Sequence, residues 1–394
     1  MLDRDLLRQL QTDEGRAALE TALQAAPSEA SFLAESQHLA RRVPERLARA
    51  AVEQAILRRR ARGKFAQADR LFFVREALEQ ATAETVARHR ARRFAGAGWI
   101  ADLGCGIGGD ALALASAAPV LAVDRDPLRL AVLQANARVL GLSAVHPILA
   151  DVFERPWRPL RECLAFADPT RRSAGRRTRS GARSDPPLPR LLTMLEEFEG
   201  WAVKLSPAVD REEVLRLGTE LEFVSLDGDL KEATLWGGRL RAAVRRATIL
   251  PEGAEITGGA EPDLDVGPLE TYLLVPDPAV LRAYLVRTLA VSLGAHLIDP
   301  DIGLLTSAAS VKTPFARTFE VLEVLPAGPR ALKQGLKSRG FGQVTLMKRG
   351  SSVDTDELGK RLRLGEGGEA VVLLTRVRGK HVALLLKKVS KVPS

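Results

Sequence analysis

Cysteine is nearly absent from this 394-residue chain: Cys105 and Cys163 are the whole complement, which excludes a disulfide scaffold and a cysteine zinc cluster. The histidines His38, His89, His146, His296 and His381 are too scattered for a metal site, and no metal is expected. Long apolar runs are also missing. The best, Ala111 to Val123, is broken by Ser116 and Pro119 and falls short of the roughly 20 residues that span a bilayer. The opening MLDRDLLRQL carries acids and no apolar core, so no secretory signal is expected and the cytoplasm is the expected location. What remains is ordinary for a globular protein, 46% hydrophobic and 27% charged, and long enough for two or three domains.

Charge is distributed unevenly. The net charge is +9, yet residues 1–40 hold 3 basic and 7 acidic side chains, residues 41–93 hold 15 and 6, and residues 329–394 hold 15 and 5. The stretch between, 94–328, is therefore net −6. Basic flanks around an acidic centre fit either two surfaces that meet a polyanion or plain solvated helix faces.

Residues 1–95 read as helical, rich in Leu, Ala, Glu, Arg and Gln. From Trp99 the pattern changes to short apolar strands alternating with helices. Trp99–Leu103, Val120–Val123, Pro147–Ala150, Cys163–Ala167 and Trp201–Leu205 read as strands, and Pro127–Leu140 reads as a helix. That alternation predicts an α/β fold with a doubly wound parallel sheet over 96–250. Residues 251–268, rich in Gly, Pro, Asp and Glu, read as a linker, and 269–394 as a smaller α/β domain in which Pro278–Gly294 forms one amphipathic helix.

The strongest motif is Ala101-Asp-Leu-Gly-Cys-Gly-Ile-Gly-Gly-Asp110, a buried strand entering a glycine turn that opens a helix. Gly104, Gly106 and Gly109 match the dinucleotide fingerprint, a weak signal alone. Two ligands compete for it. A nicotinamide dinucleotide would set its pyrophosphate on the helix N-terminus, where Asp110 would repel it. S-adenosylmethionine has no phosphate and carries a cationic sulfonium, which suits Asp102 and Asp110 on either side of the glycines. Asp110 equally fits a helix N-terminal carboxylate.

Further carboxylates end the successive strands. Asp124, after Leu-Ala-Val, is positioned to accept from both ribose hydroxyls of either cofactor; Asp126 before Pro127 suits a helix cap. Asp151 is positioned to accept from an adenine amino group, with Val152 or Phe153 against the ring. Asp168, in Phe-Ala-Asp168-Pro169, ends the fourth strand, where an open parallel sheet presents residues to its crevice. It can orient an amine nucleophile toward a methyl donor, and orientation carries much of such a reaction. A plain strand-end turn is the structural alternative for Asp151 and Asp168. Cys105 reads as a small filler, since no base lies near it in sequence.

The set Asp102–Asp110, Asp124, Asp151 and Asp168-Pro169 resembles a class I S-adenosylmethionine-dependent methyltransferase. It is similar to bacterial proteins that join such a Rossmann-like domain to a C-terminal THUMP-like domain, and to RNA cap trimethylguanosine synthase-type methyltransferases. Leu78–Phe94, Ala167–Arg172 and Lys348–Asp354 carry the closer match. The resemblance implies S-adenosyl-L-methionine as cofactor and RNA as substrate, methylated on a base nitrogen. The arginines that follow Asp168-Pro169, among them Arg171, Arg172, Arg176 and Arg177, then become phosphate contacts. One departure stands out. Enzymes of this type follow Asp-Pro with Pro and an aromatic that stacks on the base, whereas this chain has Thr170 and Arg171. A guanidinium can stack on a base; Trp157, Trp201 and Trp236 suit core packing better than a platform. The competing expectations are a methyltransferase fold that binds RNA without turnover, a methyltransferase for a small molecule or protein, and a nicotinamide oxidoreductase.

Overall fold

The structure is a computed structural model that describes residues 2–154, 162–169, 172–173, 176–177, 187–362 and 364–389. The chain divides into two compact units, residues 1–220 with 232–242, and residues 221–231 with 243–394.

The first unit opens with six helices: α1 (Arg4–Gln9), α2 (Asp13–Gln24), α3 (Phe32–Leu39), α4 (Glu45–Ala61), α5 (Arg75–Gln80) and α6 (Glu84–Arg92). Asp3 and Thr12 cap the first two through side-chain oxygens. The chain then alternates as expected through β1 (Trp99–Leu103), α7 (Ala111–Leu114), β2 (Val120–Asp124), α8 (Pro127–Val139), β3 (Val145–Leu149) and β4 (Cys163–Ala167). A two-residue pair, β5 (Arg172–Ser173) and β6 (Arg176–Arg177), precedes α9 (Leu188–Leu195), β7 (Gly200–Leu205) and α10 (Arg211–Leu215). Asp126 caps α8, with Pro127 in its first turn.

After β8 (Glu220–Leu226) comes β9 (Asp229–Gly238), whose later residues return to the first unit and pair antiparallel with β7. The sheet of this unit thus runs β3-β2-β1-β4-β7-β9, parallel up to β7. The direction of winding reverses between β1 and β4, and the crevice of an open α/β sheet lies outside the carboxyl ends at that point. Ile100, Ala122, Leu164, Phe166 and Ala202 fill one layer together with Ala87, Ala91 and Phe94 from around α6. The helices α1 to α5 share a second cluster with Ile107 and the α8 residues Val132 and Ala135. The helical N-terminal region is therefore packed onto the sheet's own helix. Asn136 fastens it, its side chain pairing with both backbone groups of Phe72 at 2.8 and 3.0 Å.

The second unit holds β8 parallel to β10 (Arg245–Leu250), with β11 (Ala254–Gly258) antiparallel beyond it. Within 251–268, expected as a linker, β11 is thus paired, and the Gly267 N–H donates to the Leu297 carbonyl at 2.9 Å. There follow β12 (Tyr272–Pro276), α11 (Pro278–Arg282), α12 (Val286–Leu293), β13 (His296–Asp299), β14 (Ile302–Ser307), β15 (Ala316–Pro326), α13 (Pro329–Lys337), β16 (Phe341–Lys348), α14 (Thr355–Leu362), β17 (Gly368–Val377) and β18 (Lys380–Lys388). Their sheet runs β13-β14-β12-β15-β18-β17-β16. Alternate residues of β17 serve two layers: Val371 and Leu373 pack with Phe319 and Leu273, while Ala370, Val372 and Leu374 pack under Leu332 and Leu336 of α13 and Leu358 and Leu362 of α14. The single helix expected over Pro278–Gly294 is two helices. Tyr284 sits between them in the left-handed region at φ 54°, and the buried Ala279, Val280, Leu289 and Ala290 keep a helical rhythm across the break. No helix among the described residues is long and apolar enough to cross a membrane.

Candidate active site

The carboxyl ends of β1, β2 and β4 bring the sequence-predicted acids to one place. After Leu103 the chain turns through Gly104 at φ +89° and Gly106 at φ +56°, left-handed positions that a side chain would strain. The Gly106 N–H donates to Asp124 Oδ2 at 2.8 Å, and the Asp126 N–H donates to Oδ1 of the same carboxylate at 2.9 Å. Asp124 is therefore held in place by the loop it faces, and each oxygen keeps a lone pair for a further donor. A Cβ on Gly104 would stand 3.9 Å from the Asp168 carbonyl oxygen, and one on Gly109 would stand 3.4 Å from the Thr82 backbone nitrogen. The loop thus lies between the β4 end and the segment joining α5 to α6.

Beneath it is a buried, connected set of charges. Asp110 accepts from Thr82 Oγ1 at 2.8 Å and from Arg90. Arg90 also donates to Glu232, and its guanidinium lies 4.6 Å from the Phe166 ring centroid. Lys204 Nζ donates to Thr82 Oγ1 at 2.9 Å and to Asp168 Oδ2. Asp110 accordingly stands at the N-cap position of α7, with its carboxylate turned to these long-range partners. Its side chain makes no capping hydrogen bond; one oxygen accepts from Thr82 and the other from Arg90.

Asp102 has no such partner. It is 1% exposed, and its Oδ2 receives no hydrogen bond. Burial, with the charges of Asp168 and Asp124 adding to it and those of Arg90 and Lys204 opposing, pushes its carboxyl up to about 8. A buried carboxyl with an empty acceptor next to a glycine turn fits a cationic group. So does the composition of the cluster, in which Asp102, Asp110, Asp124, Asp168 and Glu232 outnumber Arg90 and Lys204. Cys105 is buried, and desolvation raises its thiol well above the usual range, so it remains a neutral filler.

The remaining expected residues lie further along the same edge or beyond description. Ala150 N–H donates to the Asp124 carbonyl at 3.2 Å, and Asp151 follows it. Its Oδ1 accepts from the Phe153 N–H at 2.8 Å, closing the turn that contains Val152. Arg190 lies 3.8 Å from the Phe153 ring centroid. Pro169 is buried directly after Asp168. Arg171 lies outside the described residues, as do the side chains of Arg172, Arg176 and Arg177, whose backbones pair in the β5–β6 ladder. Trp157 is also outside them; Trp201 and Trp236 are buried in the core.

Thr82, Arg90, Lys204 and Glu232 were not singled out by motif reasoning. The sequence holds a signal for the first three and none for Glu232. Thr82 and Arg90 belong to the Leu78–Phe94 stretch that carried the family match, and Lys204 interrupts the apolar strand Trp201-Ala-Val-Lys-Leu205.

Residues 316–388 match the THUMP domain-like family, and residues 3–61 match a domain of unknown function (DUF8688). An uncharacterized S-adenosylmethionine-dependent methyltransferase of Mycobacterium tuberculosis, found in strains CDC 1551 and H37Rv, is 37% identical over 346 residues, covering 83% of this chain and 92% of the relative. A crystal structure of a candidate methyltransferase from Porphyromonas gingivalis W83 superimposes with a TM-score of 0.81 at 26% identity, covering 95% of this chain and 98% of that one. The nicotinamide reading of the glycine loop is thereby set aside. The chain belongs to the S-adenosylmethionine-dependent methyltransferases, with a THUMP-like domain at its C-terminus.

Proposed function

We propose that this methyltransferase acts on RNA in the cytoplasm, on a base nitrogen, with Asp168 orienting the acceptor. The observation that carries the reading is the position of Asp168, at the β4 end beside the glycine turn, with one carboxylate oxygen bound to Lys204 and the other free of hydrogen bonds from described residues. S-adenosylmethionine supplies an electrophilic methyl group on a sulfonium. Asp124, fixed by Gly106, receives the ribose hydroxyls. Asp151 and Val152 border the adenine, and Gly104 to Gly109 give backbone access. Asp102 answers the cationic part of the cofactor. Asp168 accepts a hydrogen bond from the acceptor N–H, which aims the nitrogen lone pair at the methyl, and it is the first acceptor for the proton released after transfer.

Support for RNA comes from the THUMP-like domain and from charge. Residues 329–394 carry 15 basic against 5 acidic side chains, and Arg171, Arg172, Arg176 and Arg177 follow the catalytic strand end directly in sequence. In this reading 1–95 is the helical part, 96–250 the catalytic part, 251–268 a connection and 269–394 the RNA-facing part. The test is transfer of labelled methyl from S-adenosylmethionine in cell extract depleted of the protein, with RNA, protein and small-molecule fractions counted separately. Label in RNA is expected. Label confined to another fraction, or cofactor binding with no label anywhere, would overturn the RNA assignment.

A further inference from the structure

We propose that Lys204 and Asp168 together form a donor–acceptor fork that reads the amino-bearing edge of the target base. Lys204 donates to a ring nitrogen while Asp168 accepts from the neighbouring amino group, which makes Lys204 a specificity-determining residue. The inference rests on the RNA-methylation reading above.

Register sets the two residues side by side. Ala167 of β4 pairs with Val203 of β7, so Asp168 and Lys204 are the next positions along adjacent parallel strands, at their carboxyl ends. The side chain of Lys204 is 7% exposed and that of Asp168 is 30% exposed, so the pair sits at the crevice floor with the acid toward solvent. An ammonium has three N–H donors. One goes to Thr82 Oγ1 and one to Asp168 Oδ2, and the third has no acceptor among the described residues. Asp168 Oδ1 likewise receives nothing from them.

Lys204 is also braced from behind. Thr82 Oγ1 accepts from Lys204 and donates to Asp110, which is tied to Arg90, and Arg90 to Glu232. A buried ion pair is a poor device for stability, because apolar residues of similar volume do as well without the desolvation cost. Its strand neighbours Ala202, Val203 and Leu205 are apolar and buried. The remaining donor and acceptor lie on neighbouring atoms and point to a ligand that offers an acceptor beside a donor. Adenine and cytosine do so with a ring nitrogen next to the amino group, as does guanine on its N3 side. A ribose hydroxyl puts both functions on one atom. The missing aromatic after Asp168-Pro169 leaves the fork to supply orientation that stacking supplies elsewhere.

The experiment compares the wild-type chain with Lys204→Met, Lys204→Arg and Thr82→Val. Each is assayed for methyl transfer to unmodified RNA, for the identity of the methylated nucleoside by mass spectrometry, and for the thermal shift produced by S-adenosylhomocysteine. Lys204→Met is expected to keep the thermal shift and to lose on the order of 100-fold in kcat. Lys204→Arg should regain part of the rate, and Thr82→Val should show a smaller loss in the same direction with its fold intact. The wild-type product should be methylated on an amino nitrogen. Methylation by Lys204→Met at the wild-type rate, or a product methylated on ribose, would overturn the fork while leaving RNA methylation standing. No label in RNA from the wild-type chain would remove the reading on which it rests.

Discussion

The N–H of Gly106 and the carboxylate of Asp124 meet at 2.8 Å across the gap between the β1 and β2 ends, joining the glycine turn to the acid that faces it. The hydrogen bond fixes the carboxylate before any ligand arrives, so less ordering is required on binding.

Asp124→Ala should therefore weaken S-adenosylmethionine binding strongly. Charge-assisted hydrogen bonds are worth roughly 1.5–3 kcal/mol each, and losing those to the ribose hydroxyls means a Kd higher by at least about 10-fold. Asp124→Asn should lose less, since the amide oxygen still accepts from the loop. Isothermal titration calorimetry on both variants measures the difference; equal affinity in Asp124→Ala and wild type would remove Asp124 from the cofactor site.

Asp102 makes stability depend on pH. Its carboxyl is raised from 3.8 to about 8, so the folded state holds a proton that the unfolded state releases. Its contribution is full below the unfolded value and declines as pH rises toward the folded value. Asp102→Asn has no such proton, so its advantage over wild type should grow between about pH 4 and pH 8 and then level off. Urea melts across that range test this, and parallel pH curves would contradict it. Cofactor binding near neutral pH should also release a proton, visible as buffer-dependent binding enthalpy.

Arg90 holds Asp110 and Glu232 together with 2% of its side chain exposed. Arg90→Met would leave two buried carboxylates facing each other and should cost about 3–5 kcal/mol, as breaking a buried pair does. Arg361→Ala, by contrast, removes an ion pair to Glu357 with side chains 62% and 61% exposed, and should cost less than about 1 kcal/mol. Chemical denaturation of both variants measures the contrast; similar losses would show that the Arg90 cluster is not a structural keystone.

The legible part of this fold is the part that local chemistry dictates. A buried strand ending in Gly104 and Gly106, an acid closing each of β2 and β4, and Asp126-Pro127 opening α8 are short-range patterns, and each predicts its own geometry. The Lys204–Thr82–Asp110–Arg90–Glu232 chain is different. Its members come from β7, the α5–α6 connection, the start of α7, α6 and β9, and only the folded sheet makes them neighbours. Asp110 shows the consequence: read locally it is a helix-end carboxylate, yet long-range partners claim both oxygens. Tyr284 shows another, because apolar periodicity does not register a single residue turned left-handed.

The most direct test is methyl transfer from S-adenosylmethionine to modification-free RNA by the wild-type chain and Asp168→Ala, side by side, with cofactor binding verified in both. The account predicts a methylated amino nitrogen in RNA from the wild-type chain and loss of that product on the order of 100-fold or more in the variant. Equal transfer by the two proteins, or cofactor binding by the wild-type chain without any labelled RNA, would contradict it.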